Sequence, residues 1–183
     1  QQASFYTKDM IQFLLMLRTL KSMERVFGSR FLDSVKPMRI VSLVPSLTLT
    51  LFDLGLDATS IVGRTPWCIH PEKEVEVIEI VGGTKNPKLK KILALNPDLV
   101  VLDREENPKD IHDELIKSGI DVFVSYVESP EDVPDMLRQL GTQVERQKNG
   151  DELATALEHR LESLKNHPLP SMRVLPMIWH KPL

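Results

Sequence analysis

The chain has a single cysteine, Cys68, in 183 residues, so no disulfide can form within it. This says little about compartment, because exported proteins also fold without disulfides. Aromatic residues are scarce at 5%, so any stacking surface rests on very few rings. Neither sign of charge is in large excess: 23 Lys and Arg stand against 26 Asp and Glu, a formal net charge of -3. Nucleic-acid binders carry a basic excess, and that class is excluded on charge. The chain is 42% hydrophobic and 27% charged, which is the composition of a folded domain, not of a disordered one. No apolar run reaches the roughly 20 residues that span a bilayer. The nearest, Ile11–Leu17, is interrupted by Gln12, bounded by Arg18 and followed by no clear small-residue cleavage site. It reads as part of a surface-packed helix over residues 4–27, with Gly28 as its stop. Catalytic signatures are missing too: there is no Gly-x-Ser-x-Gly, no His-Glu-x-x-His and no phosphate loop, so no enzyme is expected.

What is present is organised around residues 39–55. Arg39–Val44 is a short β-branched apolar run, the composition of a strand buried on both faces of a parallel sheet. Pro45 cannot continue a central strand. Ser46 or Thr48 is expected to cap a following helix over residues 47–54, and Gly55 to end it in a left-handed conformation. Further strands are expected at 61–63, 99–102 and 120–124, with helices at 88–95, 109–118 and from Ser129 to Leu140, where Gly141 ends or kinks the last. Alternation of this kind predicts an α/β, Rossmann-like parallel sheet flanked by helices. Leu153, Leu157, Leu161 and Leu164 predict a helix over 151–165. Met172–Trp179 reads as the opening strand of something further.

In an open parallel sheet, ligands bind outside the carboxyl ends of the strands. The turns that follow the strands therefore hold the candidate binding residues. The first offers the hydroxyls of Ser46 and Thr48. The second runs from Arg64 to Pro71 and carries Trp67, Cys68 and His70. The third, after Gly82-Gly83, carries Thr84, Lys85 and Asn86; the glycines allow close backbone approach and Lys85 can pair with an anionic ligand group. The fourth holds Glu105, Glu106 and Asn107, which can hydrogen-bond polar arms of a ligand. Cys68 and His70, two residues apart with no second pair, make a poor metal site. A small metal-handling protein using them is one alternative.

Five segments occur in order: 39–48, Val62-Gly63-Arg64-Thr65, Cys68-Ile69-His70-Pro71, 81–87 and Asn96-Pro97-Asp98-Leu99-Val100. Together they resemble the N-terminal lobe of the cobalamin and iron-siderophore periplasmic binding proteins that serve ABC importers. The resemblance covers residues 38–183. It implies one lobe of a class III periplasmic-binding-protein fold: a helical extension (1–37), an α/β ligand-binding lobe (38–142), a linker helix (143–168) and the start of a second lobe (169–183). It implies a non-catalytic binding module without a cofactor, whose ligand is a small-molecule metal chelate: cobalamin, haem or a ferric siderophore. Trp67 then stands where relatives place an aromatic against the ligand, and a flat ring suits a corrin or porphyrin face. The implied location is periplasmic or otherwise extracytoplasmic; with no clear export signal, the cytoplasm stays open. The implied partner is an ABC permease, but Leu49 occupies the position where corrinoid receptors carry a docking glutamate. An uncovered sheet face and linker helix would favour homo-oligomers or a protein-interaction role.

Overall fold

The computed structural model describes residues 37–167 and Arg173. The helix expected at 4–27 and the strand expected at 172–179 lie outside the described residues, apart from Arg173. Five strands form one sheet: β1 (Ile40–Ser42), β2 (Ile61–Arg64), β3 (Glu79–Ile80), β4 (Leu99–Asp103) and β5 (Asp121–Ser125). Their order is β3-β2-β1-β4-β5, and every adjacent pair is parallel. Ile40 stands opposite Ile61 on one side and Leu99 on the other. All of β1 is buried, as are Leu99–Leu102 of β4. The Ile/Val/Leu runs thus lie where both faces of the sheet are covered.

The helices are α1 (Pro45–Asp53), α2 (Glu72–Val75), α3 (Leu89–Ala94), α4 (Lys109–Lys117), α5 (Val133–Gln143) and α6 (Gln147–Lys165). Successive strand residues point to opposite faces, so the sheet separates two cores. Ile40, Ile61, Leu99 and Val101 pack with Leu47 and Leu51 of α1, with Leu54 just after it and with Leu140 of α5. Val41, Val100 and Leu102 pack with Ile92 of α3 and with Ile111 and Leu115 of α4. The result is the predicted helix–sheet–helix sandwich.

Local chemistry departs from the sequence expectation at the caps. α1 starts at Pro45, and its cap residue, Val44, has no side-chain capping bond. Proline suits that first position, since its missing N–H would have no helical partner there. Ser46 and Thr48 therefore sit inside the helix and do not cap it. Gly55 does end it left-handed, with φ of 87°. Ser129 and Asp132 form a reciprocal capping box ahead of α5.

Gly141 does not end α5, which runs on to Gln143. A Cβ on Gly141 would stand 3.0 Å from Gly150 Cα, and one on Gly150 would stand 2.8 Å from Leu137 O. The two glycines let α5 and α6 approach backbone to backbone. α6 starts a turn earlier than the leucine pattern predicts, and its fully covered positions are Gly150 and Ala154. Leu153, Leu157 and Leu161 are half-buried, and Leu164 is exposed. Arg138 of α5 grips Glu158 of α6 with two bonds, at 2.7 and 2.9 Å.

Candidate functional site: the carboxyl rim of the sheet

Parallel pairing throughout puts every strand's carboxyl end on one edge. The turns at Pro45, Trp67, Thr84 and Glu105 therefore share one rim, as expected, and a fifth loop beginning at Tyr126 joins them.

The loop after β2 is built from its buried base outward. Arg64 Nε donates to Val75 O at 2.7 Å, and its Nη1 lies 3.2 Å from both Thr65 O and Cys68 O. Thr48 Oγ1 is 2.8 Å from Ser42 Oγ, 2.9 Å from Val44 O and 3.0 Å from Cys68 Sγ. Arg64 and Thr48 are buried, and these polar groups are engaged in bracing the loop. What the loop projects is different: Trp67 is 65% exposed, and Ile69 and His70 are open to solvent. Cys68 is buried, with Thr65 Oγ1 a further 3.2 Å neighbour of its sulfur. Among the described residues, no group of three or more His, Cys, Asp or Glu side chains could hold a metal ion.

The loop after β3 turns at Gly82, whose φ of 115° excludes a side chain and where a Cβ would meet Asn86 O at 2.8 Å. Asn86 is exposed, and its Oδ1 accepts from Gly83 N at 3.2 Å. The Trp67 indole nitrogen lies 3.8 Å from where a Cβ on Gly83 would stand, so the ring rests beside this turn. Thr84 is half-buried, and Lys85 reaches across to donate to Glu105 O at 2.7 Å.

In the loop after β4, Asp103 Oδ1 accepts from Glu105 N at 2.9 Å and Glu106 N at 3.1 Å. That turn leaves both glutamates exposed. Asn107 is buried. Its Oδ1 accepts from Asp103 N at 2.9 Å, and its Nδ2 donates to Leu43 O at 3.3 Å and to Thr84 O at 3.0 Å. It thus bridges the ends of β1 and β4, where the strand order reverses.

Sequence reasoning missed the fifth loop. The Arg104 guanidinium lies 4.1 Å from the Tyr126 ring centroid, a cation–π contact. Tyr126 donates its hydroxyl to Glu128, and that bond pushes the phenol's pKa above its ordinary value. A shallow, open depression of about 200 Å³ lies beside this ring, lined also by Asp132, Asp135, Met136 and Gln139. The signal available in sequence was an aromatic directly after a strand.

Of the predicted site residues, Trp67, His70, Lys85, Asn86, Glu105 and Glu106 are exposed on the rim loops, Ser46 is exposed in the first turn of α1, and Thr84 is half-buried. Arg64, Thr48 and Asn107 lie beneath them. The edge thus presents a flat ring among scattered polar groups above a hydrogen-bonded base.

The family model for periplasmic binding proteins matches residues 40–168, and the chain belongs to that family. A vitamin B12-binding protein of Pectobacterium atrosepticum is 28% identical over 130 residues, covering 71% of this chain and 46% of that protein. An uncharacterized ABC transporter substrate-binding lipoprotein of Bacillus subtilis, YvrC, is 31% identical over 133 residues, covering 71% of this chain and 41% of the relative. Among solved structures, the periplasmic vitamin B12 binding protein BtuF of Vibrio cholerae superposes with a TM-score of 0.64 at 25% identity, covering 71% of this chain and 50% of that one. The chain thus spans about half the length of the relatives it matches.

Proposed function

We propose that this chain supplies one wall of a cleft that binds a flat metal chelate, a corrinoid or a related iron chelate, for an extracytoplasmic ABC importer. The role is binding without catalysis. The observation that carries it is Trp67: a large indole, 65% exposed, held on a loop whose base is fully braced. Leaving such a ring in water forgoes roughly 3 kcal/mol of burial. A corrin or porphyrin face would recover that energy, with Ser46, Lys85, Glu105 and Glu106 as polar anchors around it. The names of the B12-binding relatives and of the ABC-transporter lipoprotein support the ligand class, the transport role and the extracytoplasmic setting.

Ligand sites typically enclose most of a small ligand's surface. A single wall encloses far less, so the 183-residue chain should bind weakly. The test follows the Trp67 indole N–H resonance while cyanocobalamin, hemin or a ferric siderophore is added. A saturable shift weaker than micromolar, lost in Trp67→Ala, is expected. Micromolar affinity would contradict the one-wall reading. An unmoved indole with every probe would contradict the ligand role.

A second reading has its own observation. Leu49 is 40% exposed near the rim end of α1, where the resemblance implies a docking carboxylate. An apolar residue there suits a protein contact without that ion pair. A solution mass of twice the chain's 20.9 kDa would favour self-association, and a monomer would remove it.

A further inference from the structure

We propose that Asn107 is a positioning residue for the rim, tying the loops after β1, β3 and β4 into one body and thereby holding Trp67 in place. Its ligand consequence rests on the proposed function above.

The geometry is unusual for the strand order. β3 and β4 are separated by β2 and β1, three inter-strand spacings or roughly 14 Å. The loop after β3 nonetheless reaches the loop after β4. It is fastened there twice, by Asn107 Nδ2 to Thr84 O at 3.0 Å and by Lys85 Nζ to Glu105 O at 2.7 Å. It therefore lies as a belt across the carboxyl ends of the central strands. Gly83, next to Thr84 in this belt, is the surface beside which the Trp67 ring stands.

The carboxamide suits this place for a chemical reason. It offers an acceptor and two donors in one plane, and the site presents one N–H and two carbonyls. Asp103 N–H meets the oxygen; Leu43 O and Thr84 O meet the nitrogen. An aspartate has the same shape but no N–H donor. It would turn carboxylate oxygen toward two carbonyls in a buried place. The coupling runs from Asn107 through Thr84 and Gly83 to the indole, so loss of the amide should be felt at a ring it does not touch.

The test compares Asn107→Asp and Asn107→Ala with Leu115→Ala, a core substitution under α4. Amide exchange and the Trp67 indole resonance are measured on the full chain, followed by titration with cyanocobalamin. The Asn107 variants should speed exchange at Gly83–Asn86 about tenfold, the worth of one hydrogen bond, beyond any change in β1 and β4. They should broaden the indole signal and weaken cyanocobalamin binding about tenfold. Leu115→Ala should leave the loop rates and the affinity as in wild type. Loop exchange at wild-type rates in Asn107→Asp, or the same loop response in Leu115→Ala, would overturn the proposal. Should both Asn107 variants fail to fold, Lys85→Ala removes the second fastening from an exposed position and must loosen the same segment. If cyanocobalamin shifts nothing in wild type, the ligand reading is what fails, and the exchange rates still decide the coupling.

Discussion

At the scale of single residues, the division of labour on the rim follows burial. Arg64 and Asn107 have side chains that chemistry alone would offer to a ligand. The fold uses them as internal braces, while Ser46, Trp67, His70, Glu105 and Glu106 face outward. Arg64→Met should cost about 1–3 kcal/mol, because it strands the carbonyl of Cys68 and leaves Val75 O with Ile78 N as its remaining donor. It should also open the loop over Cys68, so alkylation of that thiol in native protein should accelerate severalfold; unchanged alkylation would argue that Arg64 does not brace the loop. None of this was legible in the sequence. Asn107 and Leu43 are 64 positions apart, and no local pattern reports a hydrogen bond across that separation. Trp67 was legible as a candidate because the resemblance places an aromatic there, in a loop framed by Pro66 and Pro71.

At the scale of elements, four of the five strands were legible and the short edge strand β3 was not. β1 and β4 announce themselves as short apolar runs, Ile40-Val41 and Leu99–Leu102, because both their faces are covered. β3 is two exposed residues at the sheet edge, and it leaves no hydrophobic signature. Gly141 misled for a different reason: a helix-ending glycine and a close-packing glycine look alike until the partner helix is known. Gly150→Ala should therefore cost about 1–3 kcal/mol in a denaturant melt, because its methyl would sit 2.8 Å from Leu137 O. A neutral result would mean that α5 and α6 can part without cost. The capping box makes a pH prediction. Bonds from Ser129 hold the Asp132 carboxyl below its usual range. A depressed native pKa contributes stability that is complete above the unfolded carboxylate value and fades as pH falls through the native one. Ser129→Ala should thus be less stable than wild type at neutral pH, and the two melting temperatures should converge in acid. A constant gap at all pH values would exclude the ionised cap as the cause.

At the scale of the whole molecule, one geometric fact carries the account. Parallel pairing gathers the loop ends on a single edge, and braces inside that edge leave the Trp67 ring, the Ser46 hydroxyl and the Glu105 and Glu106 carboxylates facing out. The family assignment places the chain among periplasmic binding proteins, and the internal bonds brace the loops on this edge. The most direct test is a residue-by-residue amide shift map of the chain titrated with cyanocobalamin and, separately, with hemin. The account predicts that shifts with at least one of them cluster at the loops after the five strands, with the Trp67 indole, Gly83 and Lys85 foremost. Shifts gathered instead at the opposite edge, around Asp57–Ser60, Asn96–Asp98 and Gly119, would contradict it.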